Sequence, residues 1–209
     1  NEVINKNKLT TVAQNSRTRL LTGLLANTLT PNLGLMGSSQ DVSFMRSTLI
    51  TTGILMQDGD NVSINLSPAD EKLSGVLSII DNFFDQTKTA GVTSFDTLYQ
   101  RLTGPEHGIG MRKGIIPIYV AAVLRKYHKN AVICDQYGEV NVTPTLLNEI
   151  NENPSDYSVK IEDWSDTKES YIDALSVVFA DQISEADRVK AGYGYLTIAM
   201  GRWYLSLPK

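Results

Sequence analysis

The chain has 209 residues, 42% hydrophobic and 20% charged, with a formal net charge of −4. That balance suits one large or two small globular domains, and the net negative charge argues against wholesale coating of nucleic acid. No apolar run is long enough for a membrane span, and a single cysteine, Cys134, excludes an internal disulfide, as in a reducing, cytoplasmic setting.

Residues 9 to 28 are predicted to form a helix, with Leu9, Val12, Ala13, Leu20, Leu21, Leu24 and Leu25 mostly at three- and four-residue spacings. Pro31, Gly34 and Gly37 mark a loop. Ser39 is the expected N-cap of a second helix, with Asp41 in its first turn and Val42, Met45, Leu49 and Ile50 on its apolar stripe before Gly53. Ile54–Gln57 and Val62–Leu66 flank Asp58-Gly59-Asp60-Asn61, a hairpin signal. Helix, helix, hairpin fits the last part of a winged helix and equally two helices with an ordinary surface hairpin.

Ser67-Pro68 is expected to open the next helix, with Ser at the N-cap and Pro in the first turn. Leu73, Val76, Leu77, Ile80, Phe83 and Phe84 line it until Thr87, and Gly91 closes it. A subdomain junction is placed near 88–93, dividing the chain into 1–90 and 91–209. A short helix covers Ser94–Leu102, and Thr103–Gly110 is a loop. An apolar helix runs from Ile115 to Tyr127, with Pro117 tolerated in its first turn. Strands are predicted at Ala131–Asp135, Glu139–Val142 and Tyr157–Ile161, with a helix from Thr143-Pro144 through Ile150 between the second and third. Ser165 caps a helix carrying Tyr171, Ile172, Leu175, Val178 and Phe179, and Ser184 with Glu185 caps a last one reaching Leu207, interrupted at Gly192 or Gly194. The fold class is therefore helix-rich α+β: helical units with a winged-helix-like hairpin and a small three-stranded sheet.

No motif carries chemistry. Gly108-Ile109-Gly110-Met111-Arg112-Lys113-Gly114 lacks the Ser or Thr that a phosphate-binding loop needs after its Lys, and the dinucleotide glycine spacing also fails. His107 and His128 have no Cys, Asp or Glu at ligand spacing, so no metal and no cofactor is expected; His128 suits the negative end of a helix. Cys134, in the run Ala131–Cys134, reads as a buried strand residue. Asn61, Asn65 and Asn141 begin three-residue glycosylation patterns, and nothing else points to secretion.

Charge is the remaining signal. From His107 to Lys129 there are five basic residues, Arg112, Lys113, Arg125, Lys126 and Lys129, and no acid. From Asp135 to Asp187 there are thirteen acids against Lys160 and Lys168. Such asymmetry marks partner surfaces or opposed faces. Arg46, on the helix a winged-helix reading would use for recognition, joins the five as a candidate nucleic-acid or protein contact. One cation is little for reading DNA, so protein contact is the better variant of that reading.

Three stretches carry a resemblance: Asn1-Glu2-Val3-Ile4-Asn5-Lys6-Asn7-Lys8-Leu9, Phe44-Met45-Arg46-Ser47-Thr48-Leu49-Ile50-Thr51-Thr52-Gly53 and Gly110-Met111-Arg112-Lys113-Gly114-Ile115-Ile116-Pro117-Ile118-Tyr119-Val120-Ala121-Ala122. With Asp135–Glu139, Glu152–Pro154 and Arg202–Pro208, they resemble part of large bacterial P-loop ATPases linked to phage defence and DNA restriction, of the BREX type. The resemblance implies a segment downstream of the ATPase module, an excised piece acting as scaffold, relay or nucleic-acid contact. Its expected partners are other domains of the parent protein, other subunits or nucleic acid, with no membrane. The nucleotide-binding motifs of that family are absent, so no catalytic residue carries over.

Overall fold

The computed structural model describes residues 5–105, 109–188 and 193–208. His107, Gly192 and the Asn1–Ile4 end of the first resembling stretch lie outside the described residues.

Helix α1 (Thr11–Leu25) starts where Thr10 Oγ1 accepts the Ala13 amide, two residues later than the leucine spacing suggests, and buries Ala13, Leu20, Leu21 and Leu24. After a short turn at Pro31–Gly34, α2 (Gln40–Met45) runs without a break into a wider π turn, Arg46–Ile50. Thr48 Oγ1 donates to the Phe44 carbonyl at 2.6 Å. That side chain competes with the backbone amide for the carbonyl, and the amide of Thr51 reaches back five residues to Arg46. Strands β1 (Leu55–Asp58) and β2 (Asn61–Ile64) form an antiparallel hairpin around Gly59, whose φ of 58° only glycine adopts readily.

Helix α3 (Glu71–Ala90) begins later than Ser67-Pro68 predicts. Asp70 is its N-cap, accepting the Leu73 amide at 2.9 Å, while the Ser67 amide donates to Asn65 Oδ1. Strand β3 (Val92–Ser94) leads straight into α4 (Phe95–Thr103), capped by Ser94. Helix α5 (Ile116–Leu124) is buried all round and ends in a tighter turn at Arg125–Tyr127. Next come β4 (Ala131–Asp135), β5 (Gly138–Val140), α6 (Pro144–Glu152, capped by Thr143) and β6 (Ser158–Ile161). The last helices are α7 (Asp166–Val178), α8 (Glu185–Arg188) and α9 (Gly194–Ser206).

The fold is helix-rich α+β, with two antiparallel sheets among the described residues. The larger has four strands in the order β3-β6-β4-β5, one more than the three expected. The added edge strand, β3, is only three residues long, too short for alternation to register, and pairs Val92 with Lys160 and Ser94 with Ser158. Ile133 and Val159 are cross-strand partners and fully buried. They join α3, α4, α5 and α1 in one apolar core containing Leu21, Leu77, Phe84, Phe95 and Val120. Buried residues from both sides of residue 90 belong to this core. Cys134 points to the other face of β4 and is half-buried rather than buried, since strand neighbours alternate.

Candidate interaction surface

The basic segment does not form one patch. Arg125, at the end of α5, turns inward: its guanidinium donates to the carbonyls of Leu24 and Ala26, both at 2.6 Å, and of Asn27 at 3.3 Å. It thus satisfies the open carbonyls at the end of α1, and burial lowers its affinity for the proton. Lys126 pairs with both carboxylate oxygens of Asp81 on α3 at 2.8 Å, and the neighbouring Tyr127 hydroxyl donates to the same carboxylate at 2.7 Å. Burial first, and then Asp81, hold that phenol strongly in its protonated form. Lys129 pairs with Glu169 on α7, and His128 Nδ1 donates to the Arg125 carbonyl at 2.6 Å.

Three candidates stand elsewhere. Lys113 lies 6.0 Å from the centre of the Tyr99 ring. Burial pushes that Tyr99 phenol far above its ordinary range. Arg112 is exposed and lines a groove of about 780 Å³ together with Asp70, Glu71 and Lys72. A phosphate bound there would meet two carboxylates as well as the cations, which weakens the attraction. Tyr119 lines the same groove, its phenol pushed up to about 12 by burial and by Asp70. Arg46 is exposed on the π turn of α2 and has no ion pair among the described residues. Among the described residues Arg46, Arg112 and Lys113 therefore have no carboxylate partner, and Arg125 bonds only to carbonyls, whereas Lys126 and Lys129 are neutralised by acids from distant segments.

Two further cations, Arg17 and Arg19, hold α1 in place. Arg17 is buried and donates to the Gly114 carbonyl at 3.2 Å, tying α1 to the approach to α5. Arg19 and Ser16 both donate to Asp41 on α2, at 2.5 and 2.6 Å. The Ser16 hydroxyl above all, with Arg19, holds the Asp41 carboxyl below its usual range against the opposing effect of burial.

The feature the sequence did not reveal is at the C-terminal helices. Tyr171 and Val178, expected to face a core, are exposed, and none of the thirteen residues of α7 is buried. Ile172, Leu175 and Phe179 are only partly covered. On α9, Leu196 and Ala199 are buried, while Met200, Trp203, Tyr204 and Leu207 form an exposed row at i, i+3, i+4, i+7. Phe179 meets Trp203 edge-on, with ring centres 5.8 Å apart, and the Ser176 and Tyr195 hydroxyls are 2.9 Å apart, so α7 and α9 lean on each other. Trp164 stacks on Tyr193 at 5.1 Å, placing the start of α7 beside the start of α9. A cleft of about 540 Å³, lined by Thr22, Leu25, Val142, Pro144, Thr197 and Ile198 among others, separates α9 from the main body. The available sequence signal is the width of the apolar arc of α7, which takes in 171, 172, 174, 175, 178 and 179 and leaves Val177 outside it.

Among the described residues, no group of three or more His, Cys, Asp or Glu side chains is arranged to hold a metal ion, and no helix is long and apolar enough to cross a membrane. No family model matches the chain, and neither a curated protein nor a solved structure is similar enough to it to count as a match.

Proposed function

We propose that this chain is a non-catalytic interaction segment of a larger bacterial ATPase of the BREX type, acting in phage defence by docking against other domains or subunits. The observation that carries the reading is the uncovered apolar face of α7 and α9. Isolated exposed apolar residues need no explanation, whereas contiguous ones mark surfaces that another molecule covers. Trp203 and Tyr204 are also of the residue types that dominate interface energetics. The ATPase context rests on the resembling stretches, two of which include the π turn at Arg46–Ile50 and the approach to α5 at Gly110–Ile115.

The test is hydrogen exchange on the isolated chain and on the product of the complete reading frame. Amides of α7 and α9 should exchange quickly in the isolated chain and become protected in the whole protein. Equal exchange in both, or a reading frame without an ATPase module, refutes the reading. The second reading, a winged-helix-like module holding duplex DNA through phosphate contacts, draws on Arg46 and Arg112, which have no ion pair among the described residues. It requires duplex binding whose affinity falls steeply with salt, with the slope reduced by about one for each of Arg46→Ala and Arg112→Ala.

A further inference from the structure

The uncovered face has a charged border, and the border says what covers it. Among residues 162–187, Asp163, Asp166, Asp173, Asp181 and Glu185 are exposed and have no salt bridge among the described residues. Two cations nearby are engaged: Lys168 Nζ donates to the Asp163 carbonyl, and Arg202 donates to Asp187 at 2.5 Å and to the Gln182 carbonyl at 2.8 Å. Those Arg202 contacts hold the turn after α7 and the short α8 against α9, so the segments that carry Asp181 and Glu185 pack beside the helix of the exposed row. On α7, Asp166 and Asp173 share the face of the exposed Val177, the side of the helix away from Phe179. The result is an apolar strip with a carboxylate rim: residues 162–187 hold eight acids against one lysine, Lys168.

We propose that this strip receives an amphipathic helix of a partner protein whose polar flanks carry Lys and Arg. The inference rests on reading the chain as an interaction segment and adds the chemistry of what it binds. A row at i, i+3, i+4, i+7 over two turns of α9 matches the spacing by which an apolar helix face is recognised. Complementary charge fixes orientation and speeds association. A second copy of this chain is the wrong occupant: in a two-fold contact the same patch meets itself, bringing carboxylate rim to carboxylate rim. An anionic bilayer is repelled by the same rim.

The test uses the full chain and two fluorescein-labelled model helices of equal length, one of Leu and Lys, the other with Glu in place of every Lys, followed by fluorescence anisotropy. The Leu/Lys helix should bind at least about tenfold more tightly than the Leu/Glu helix. Its affinity should fall about tenfold in Met200→Ser/Tyr204→Ser/Leu207→Ser, where loss of the anchors removes the apolar contact. It should fall about threefold or more in Asp166→Asn/Asp173→Asn/Asp181→Asn, with a shallower salt dependence. All six positions are exposed, so circular dichroism should be unchanged. Equal binding of the two helices overturns the proposal. So does Leu/Lys binding that ignores the serine substitutions, which would be non-specific charge attraction. A dimer of the chain that the serine substitutions dissolve overturns it in favour of self-association. If α7 and α9 become protected in the complete protein while the Leu/Lys helix shows no preference, only the partner chemistry fails and the interaction reading stands.

Discussion

Gly23 offers a test of how tightly α1 is seated, because propensity and packing there predict opposite signs. Replacing a helical glycine by alanine ordinarily stabilises by about 0.8–1 kcal/mol. At Gly23 the new Cβ would lie 2.5 Å from Leu33 Cβ, 2.8 Å from the Leu33 carbonyl oxygen and 3.2 Å from Leu33 Cα. Two of those atoms are backbone, and Leu33 cannot easily retreat. It is buried, it holds φ at 54° between Asn32 at 52° and Gly34 at 74°, and its amide is bonded to the Thr30 carbonyl at 2.9 Å. A left-handed leucine already stores about 1–2 kcal/mol, and displacing it adds an overpacking cost of about 1–3 kcal/mol or more. The clash therefore wins, and Gly23→Ala should destabilise by about 1–2 kcal/mol net of propensity. Gly75, in α3, is the internal control, since a Cβ there meets nothing within 4 Å. Gly75→Ala should raise the thermal midpoint by about 2–4 °C and Gly23→Ala should lower it by about 2–8 °C, followed by circular dichroism. Shifts of the same sign in both variants would refute the close approach of the Leu33 turn to α1.

Two further substitutions examine the polar contacts that join segments far apart in sequence. Arg125→Met leaves the Leu24, Ala26 and Asn27 carbonyls without their donor and should cost about 2–3 kcal/mol in urea unfolding. Arg125→Lys should recover only part of it, because an ammonium lacks the planar fork that reaches several acceptors; full recovery would show that charge alone suffices. Asp41→Asn addresses pH. The folded chain holds the Asp41 carboxyl below its ordinary range, so it binds that proton less readily than the unfolded chain. Its contribution is complete above the ordinary aspartate value of about 3.9 and disappears as pH falls through the lower folded value. Wild type should be more stable than Asp41→Asn near neutrality, with the gap closing in acid; a gap independent of pH would refute the assignment.

What the sequence disclosed and what it hid divide along contact range. Caps that act within three residues were readable, as Thr143 with the Leu146 amide and Ser165 with the Lys168 amide illustrate. So was the Asp58-Gly59 hairpin, whose turn chemistry is local. The start of α3 is less legible, because Ser67 before Pro68 and Asp70 are both good local caps and it is Asp70 that takes the Leu73 amide. The π turn was hidden because the Thr48 side chain displaces the regular backbone bonding. Strand β3 exists only by pairing with β6, more than sixty residues away. The basic residues were legible as residue types, but their partners were not. The acid that engages Lys126 is 45 residues upstream and the one that engages Lys129 is 40 downstream.

Those two pairings also change how the charge asymmetry acts. Written along the chain, the cations of 112–129 and the acids of 135–187 look like opposite poles of comparable strength. Folding joins them where they are nearest: Lys129 to Glu169, with Lys126 drawn to Asp81 and Lys160 to Glu139 and Glu162. Ion pairs this exposed contribute little to stability, but they cancel field. The positive run is left with exposed Arg112, set in a groove that also holds Asp70 and Glu71, and with Lys113 over the Tyr99 ring. Within 162–187, Asp163, Asp166, Asp173, Asp181 and Glu185 have no ion pair among the described residues, on segments already short of apolar cover. A partner approaching this molecule therefore meets an uncompensated potential at α7–α9, and a charge is attractive over distances at which an apolar strip is not yet felt. The carboxylate rim selects the encounter and Trp203 with Tyr204 holds it, so neutralising the rim should slow association more than it speeds release, whereas removing the apolar row should do the reverse.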